Sequence, residues 1–163
     1  MIYIGIDPGL DGALAVIDTD RDAVEIFDTP TVTVKTTKGT KREYDLSTMA
    51  TRLRTVRLNL QSSIAVIEKV HSMPGQGVRS MFSMGYGVGA WEGLLAGIGI
   101  PYRRVAPQTW QKLMLADEGR GKDAARLQAQ RLFPATAAMF ARKKDDGRAD
   151  AVLIAEYGRR TAA

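Results

Sequence analysis

The first eighteen residues, MIYIGIDPGLDGALAVID, constrain this chain more than any other stretch. Ile2, Ile4 and Ile6 alternate with Tyr3 and Gly5, the period of a buried strand. The run ends at Asp7, turns at Pro8-Gly9, and a second apolar run, residues 13–17, returns almost at once. A strand, a tight turn and a return strand are expected, with one carboxylate at the strand end. A charge beside a core strand costs several kcal/mol unless it is paired or metal-bound. Asp7 therefore either caps the Pro-Gly turn or belongs to a site whose other members lie further along.

With 163 residues, 45% hydrophobic and 25% charged, the chain reads as a single globular domain. No apolar run reaches the ~20 residues of a membrane span, so no membrane partner is expected. There is no cysteine, which excludes disulfides, thiolate catalysis and Cys-based zinc sites, and fits a reducing, cytoplasmic setting. A single histidine removes His-rich metal sites. The formal charge is +5, which favours a polyanionic partner such as nucleic acid. Thirteen of the 23 basic residues lie between Arg103 and Arg160, and four more crowd into residues 35–42. Residues 7–28 hold seven acids against one arginine. An acidic patch in a basic surround suits a metal-dependent enzyme acting on phosphodiesters.

Along the chain, residues 23–27 read as a third strand of an antiparallel meander. Residues 31–44, TVTVKTTKGTKREY, alternate β-branched and polar residues around Lys38-Gly39; a protruding basic hairpin insertion or a solvated loop both fit, and either could place Lys38, Lys41 and Arg42 on DNA phosphates. Asp45 and Ser47 are candidate N-caps of a helix with Leu46, Met49, Leu53, Val56 and Leu60 inward and Arg52, Arg54 and Arg57 outward. IAVIE, residues 64–68, is the continuous apolar run of a central strand, and it too ends in a carboxylate. A long helix is expected from Val78 to Ile98. Gly85, Gly89, Gly93 and Gly97 recur along one of its faces. That stripe packs either on the protein's own sheet or against a second copy of the chain. Gly85-Tyr-Gly87-Val-Gly89 lacks the spacing and preceding strand of a dinucleotide fingerprint, so no nucleotide cofactor is expected. A strand at residues 101–105, helices at 107–115 and 122–133, and a last amphipathic helix at 149–160 complete a mixed sheet with helices on its faces.

Asp7 and Glu68 both end apolar strands, where α/β sheets build their sites. In KKDDGRADAVLIA, Asp146 and Asp150 lie within about 40° of each other on a helix, whereas Asp145 faces elsewhere; were the helix to start near Arg148, Asp146 would instead be its N-cap. Three or four converging carboxylates repel one another unless a divalent cation neutralises them. Oxygen-only ligands point to Mg²⁺ or Mn²⁺, and a pair of such ions can activate water and stabilise a leaving oxygen.

The set IGIDPGLDGALAVID, IAVIEKVH, a Gly-rich helix, PYRRVAPQTWQK, GRGKDAARL and KKDDGRADAVLIA resembles the RuvC Holliday junction resolvases, especially the phage-type members. The likeness runs nearly end to end, except for residues 31–44. It implies a ribonuclease H-like fold with a five-stranded mixed sheet flanked by helices on both faces. It also implies a homodimer and Mg²⁺-dependent paired nicking of four-way or branched DNA with two ions per site, in the bacterial host cytoplasm if the gene is a phage's. By that resemblance Asp7, Glu68 and Asp150 are catalytic metal ligands. Bacterial RuvC proteins place the fourth ligand three residues before the final aspartate, where this chain has Gly147; Asp146 is taken for that role, with Asp145 in reserve. Lys112 and Lys122, then Lys143 and Lys144, correspond to basic residues that hold the scissile strand. The aromatic wedge of the bacterial relatives has no counterpart in residues 69–77, where His71 and Met73 are the available substitutes. Sugar kinases and actin-like ATPases share the opening motif but need a second domain. A non-catalytic junction-binding protein would keep the fold without needing all the carboxylates.

Overall fold

The computed structural model describes residues 1–37, 39–57, 62–71, 75–116 and 123–162. Lys38, Leu60, Met73 and Lys122 lie outside the described residues. Seven strands and five α-helices occur among those described: β1 (Ile2–Asp7), β2 (Ala13–Asp18), β3 (Ala23–Asp28), β4 (Thr31–Thr36), β5 (Gly39–Tyr44), α1 (Leu46–Arg57), β6 (Ser63–Glu68), α2 (Val78–Ile98), β7 (Tyr102–Val105), α3 (Pro107–Met114), α4 (Ala124–Leu132) and α5 (Asp146–Arg160). Short 3₁₀ turns, Pro134–Phe140 and Lys143–Asp145, join the last two helices.

The main sheet has five strands in the order β3-β2-β1-β6-β7. β1 pairs antiparallel with β2 and parallel with β6, and β7 is parallel to β6, so the sheet is mixed. Because side chains alternate along a strand, each strand feeds two cores. Ile2, Ile4 and Ile6, with Leu14, Val16, Ala65 and Ile67, pack under α1 and α2 against Met49, Leu53, Trp91 and Leu95. On the opposite face Ala13, Ala15 and Val66 pack under α3 and α5 against Trp110, Val152 and Ile154. Helices on both faces of a five-stranded mixed sheet match the architecture expected from the sequence.

Gly5 shows why α5 lies so close to β1: a Cβ there would stand 2.0 Å from the Ala151 carbonyl oxygen and 2.3 Å from the Ala155 nitrogen. No side chain fits between the strand and the helix.

Two local expectations need correction. Leu46, in the first turn of α1 next to the capping Asp45 (Thr48 N–H to Asp45 Oδ1, 3.0 Å), is 40% exposed rather than inward. The glycine stripe of α2 does not pack on the sheet: Cβ atoms on Gly85, Gly89, Gly93 and Gly97 would meet nothing within 4 Å. The buried face of α2 carries Gly87, Trp91 and Leu95 instead. Phe82, on the same helix, is 77% exposed. Residues 31–44 form the antiparallel hairpin β4/β5, separate from the main sheet, with Thr31 opposite Tyr44.

Candidate active site

Strand parity and register assemble the acidic corner. Ile6 pairs with Ile67 across the parallel β1/β6 junction, so Asp7 and Glu68 end neighbouring strands at their carboxyl edge. Both follow an inward residue of the α1/α2 face, and alternation turns them to the face that α5 covers. α5 starts beyond that edge, and Asp150 lies one turn inside it.

All three side chains are partly buried. Burial, then Glu68 and Asp11 nearby, push the Asp7 carboxyl up to about 7. Asp150 is pushed up to about 8 by burial and then by the charges of Asp7, Glu68 and Asp146. Burial also raises Glu68, against a hydrogen bond from the Trp110 indole N–H to Oε1 at 2.8 Å. These are acids that repel one another, with no cation among the causes of their shifts. Among the described residues, no three acidic or histidine side chains are gathered at ligand spacing around one point. The donor set is nonetheless of the kind a hard divalent cation takes: oxygen only, and costly to ionise without a positive partner.

Asp145 and Asp146 separate cleanly. Asp145 is 2% exposed and accepts hydrogen bonds from the Arg142 backbone N–H (2.9 Å) and from Arg142 Nη2 (2.9 Å), with Arg148 Nη1 at 3.6 Å. The Arg142 guanidinium holds its carboxyl below the usual range. It fastens the entry to α5. Asp146 opens α5, with its side chain 57% exposed, and pairs with Arg126 Nε at 2.9 Å; its charge is felt at Asp150. Gly147, the position of the resembling proteins' fourth ligand, has no room for a side chain: a Cβ would stand 2.4 Å from the Asp11 carbonyl oxygen and 2.8 Å from the Gly12 Cα.

Asp7, Asp146 and Asp150 line an open cleft of about 1140 Å³, together with Lys143, Lys144 and Arg42. Arg42 also pairs with Asp11 at 2.5 Å, which gives that turn residue a partner the sequence did not suggest. Lys112 is exposed at the end of α3, two residues beyond Trp110, outside the cleft lining. Lys41 is exposed on β5 and pairs with Glu43, and His71 is exposed.

Several supporting residues were not singled out from the sequence. Trp110 carries the only donor to Glu68 among the described residues, and its place in PQTWQK was the available signal. Tyr44 ends the hairpin and sends its hydroxyl to the Pro8 carbonyl at 3.1 Å; its pKa is raised by burial, and the charge of Asp7 adds to this. Gly87 makes room for that ring, since a Cβ there would meet the Tyr44 hydroxyl at 2.3 Å. Arg148 reaches from α5 to Asp28 at the end of β3, at 2.5 and 2.6 Å.

Compared across its whole length, the chain superimposes on T. thermophilus RuvC in complex with a Holliday junction substrate with a TM-score of 0.63, covering 99% of this chain and 97% of that one at 15% identity. The fold is that of RuvC. A second Thermus thermophilus RuvC structure agrees, with a TM-score of 0.56 over 98% of this chain and 96% of that one at 16% identity. In sequence, 85 residues (52% of the chain) are 34% identical to the chloroplastic Holliday junction resolvase MOC1 of Chlamydomonas reinhardtii. The chain spans about a tenth of that relative's length. No family model matches the chain. No helix among the described residues is long and apolar enough to cross a membrane.

Proposed function

We propose that the chain is a divalent-metal-dependent, structure-selective DNA endonuclease of the RuvC type, which resolves four-way junctions by paired symmetric nicks. The observation that carries this reading is the mutually repelling trio Asp7, Glu68 and Asp150 at one edge of the RuvC fold. Asp7, Glu68 and Asp150, with Asp146 as fourth carboxylate, would hold Mg²⁺ or Mn²⁺, two ions per site. Such ions, when bound, lower the pKa of water and neutralise the developing charge on a phosphodiester.

The chain's own residues supply the rest. Trp110 orients Glu68, and Arg126 keeps Asp146 on the cleft wall. Lys143 and Lys144, with Lys112 and Lys122, bind phosphates of the cut strand. Lys38, Lys41 and Arg42 extend that contact along the hairpin. The open glycine stripe of α2 lets a second copy approach closely, giving the homodimer that two opposed cuts require. A phage origin and a cytoplasmic setting belong to the same reading and rest on the phage-type motif set.

The test is cleavage of a synthetic four-way junction, a Y-fork, a duplex and an RNA–DNA hybrid side by side, with Mg²⁺ or EDTA. Metal-dependent, symmetric cutting of the four-way junction above the others supports the proposal. Binding without cleavage identifies a junction-binding protein instead. A strictly monomeric mass in solution removes the dimer.

A further inference from the structure

The hairpin β4/β5, the stretch that the likeness to the resembling proteins leaves out, reaches the turn that follows Asp7. Arg42 and Tyr44, two apart on β5, face the same way. Arg42 pairs with Asp11 at 2.5 Å, and the Tyr44 hydroxyl donates to the Pro8 carbonyl at 3.1 Å. Tyr44 and Pro8 are both buried. No backbone N–H among the described residues reaches the Pro8 carbonyl, so the phenol is its donor. The Ser83 carbonyl lies further off, at 3.4 Å, and the hydroxyl has one proton to give. α2 closes the space beside both groups: a Cβ on Gly87 would stand 2.6 Å from the Pro8 oxygen.

We propose that Tyr44 is a positioning residue for Asp7, acting through the Pro8–Gly9 peptide. The carbonyl that Tyr44 holds and the N–H of Gly9 belong to one planar unit, so fixing the oxygen fixes where the N–H points. That peptide is trans, and its N–H donates to Asp7 Oδ1 at 3.3 Å. It is the only hydrogen-bond donor to the Asp7 carboxylate among the described residues. A bond that long weakens quickly with any tilt of the plane. Glu68 has the Trp110 indole and Asp146 has Arg126, whereas Asp7 has this one peptide. The inference rests on the nuclease reading and adds a hairpin residue to the groups that set the metal ligands. Trp110 holds Glu68 directly; Tyr44 holds Asp7 at one remove.

Tyr44→Phe keeps the ring and removes the donor. Calorimetric titration of Mn²⁺ without DNA is expected to show an affinity about 10- to 100-fold lower than the parent's. In the metal-free variant, hydrogen exchange followed by NMR should be faster at the Gly9 amide. Affinity for a four-way junction, measured in EDTA so that nothing is cut, should match the parent's. Val56→Ala, a core truncation on α1, is the control for lost stability: it lowers the melting temperature and leaves Mn²⁺ affinity unchanged. All readings are taken below the melting temperature of each variant. Unchanged Mn²⁺ affinity or unchanged Gly9 exchange in Tyr44→Phe overturns the proposal, as does an equal loss of affinity in Val56→Ala. Weaker junction binding by Tyr44→Phe in EDTA also overturns it, since the residue would then act on DNA. Failure of the nuclease reading shows separately, as absence of metal-dependent cutting by the parent protein.

Discussion

The indole N–H of Trp110 donates a 2.8 Å hydrogen bond to Oε1 of Glu68. Trp110 is fully buried in α3, so the bond ties the carboxylate at the end of β6 to a helix that cannot move independently of the core. One of the two carboxylate oxygens is thereby held. Trp110→Phe keeps an aromatic ring and removes the donor. A group that orients a metal ligand is worth roughly 10- to 100-fold in metal affinity, and that is the expected rise in the Mg²⁺ concentration for half-maximal cleavage. Calorimetric titration of Mn²⁺ into parent and variant gives an independent reading of the affinity without cleavage. An unchanged Mg²⁺ requirement would show that the bond only packs the core.

Asp7→Asn, Glu68→Gln and Asp150→Asn are each expected to abolish cleavage while leaving junction binding largely intact. Each also removes a charge that its neighbours oppose. The metal-free variants Asp7→Asn and Asp150→Asn should therefore melt at or above the parent temperature near neutral pH. Loss of activity together with a lower melting temperature would mark these residues as structural.

Stability of the metal-free protein should fall as pH rises. Asp7 and Asp150 are raised from an ordinary 3.8 to about 7 and about 8. Between the ordinary and raised values the folded state keeps protons that the unfolded state has released, so their effect on folding becomes progressively unfavourable and levels off above the folded values. The melting temperature above pH 8 is expected to lie on the order of 10 °C below its value near pH 5. Mg²⁺ should remove most of the difference. A flat profile without metal would contradict the coupling.

Asp145 and Asp146 predict opposite phenotypes. Asp145→Asn breaks a buried carboxylate away from Arg142 and Arg148 and should cost about 3 kcal/mol of stability, read as a drop of roughly 5–10 °C. Asp146→Asn, on an exposed side chain, should leave melting nearly unchanged and reduce cleavage at least tenfold. The reverse pattern would reassign the fourth carboxylate to Asp145.

Gly147→Ala places a methyl group within 3 Å of the Asp11 carbonyl oxygen and the Gly12 Cα. The backbone of α5 would have to shift, taking Asp146 and Asp150 with it. A lower melting temperature and a larger loss of activity than in Gly89→Ala, where the space is open in the single chain, are expected. Equal melting of the two variants would mean that α5 can yield.

How much was legible depended on range. Ile2, Ile4 and Ile6 announce a strand, and the 3.6-residue period of α2 places its ends, because alternation and helical period are local consequences of backbone geometry. For the same reason the carboxylates at the ends of β1 and β6 could be named before their spatial relation was known. Which face of α2 is buried could not be read, since Phe82 and Trp91 are both aromatic and the glycines could serve either side. The meeting of Trp110 with Glu68, 42 residues apart, and of Arg148 with Asp28, 120 apart, left no periodic trace. Helical period favoured Asp146 over Asp145, but the hydrogen bonds that tie Asp145 to Arg142 left no trace in it. Local pattern determined the strands, the helices and the identity of the acids. Only the packing of α5 across β1 decided which acids share an edge, which are tied to arginines, and which position has no room for a side chain, because desolvation and repulsion depend on through-space neighbours rather than on sequence spacing.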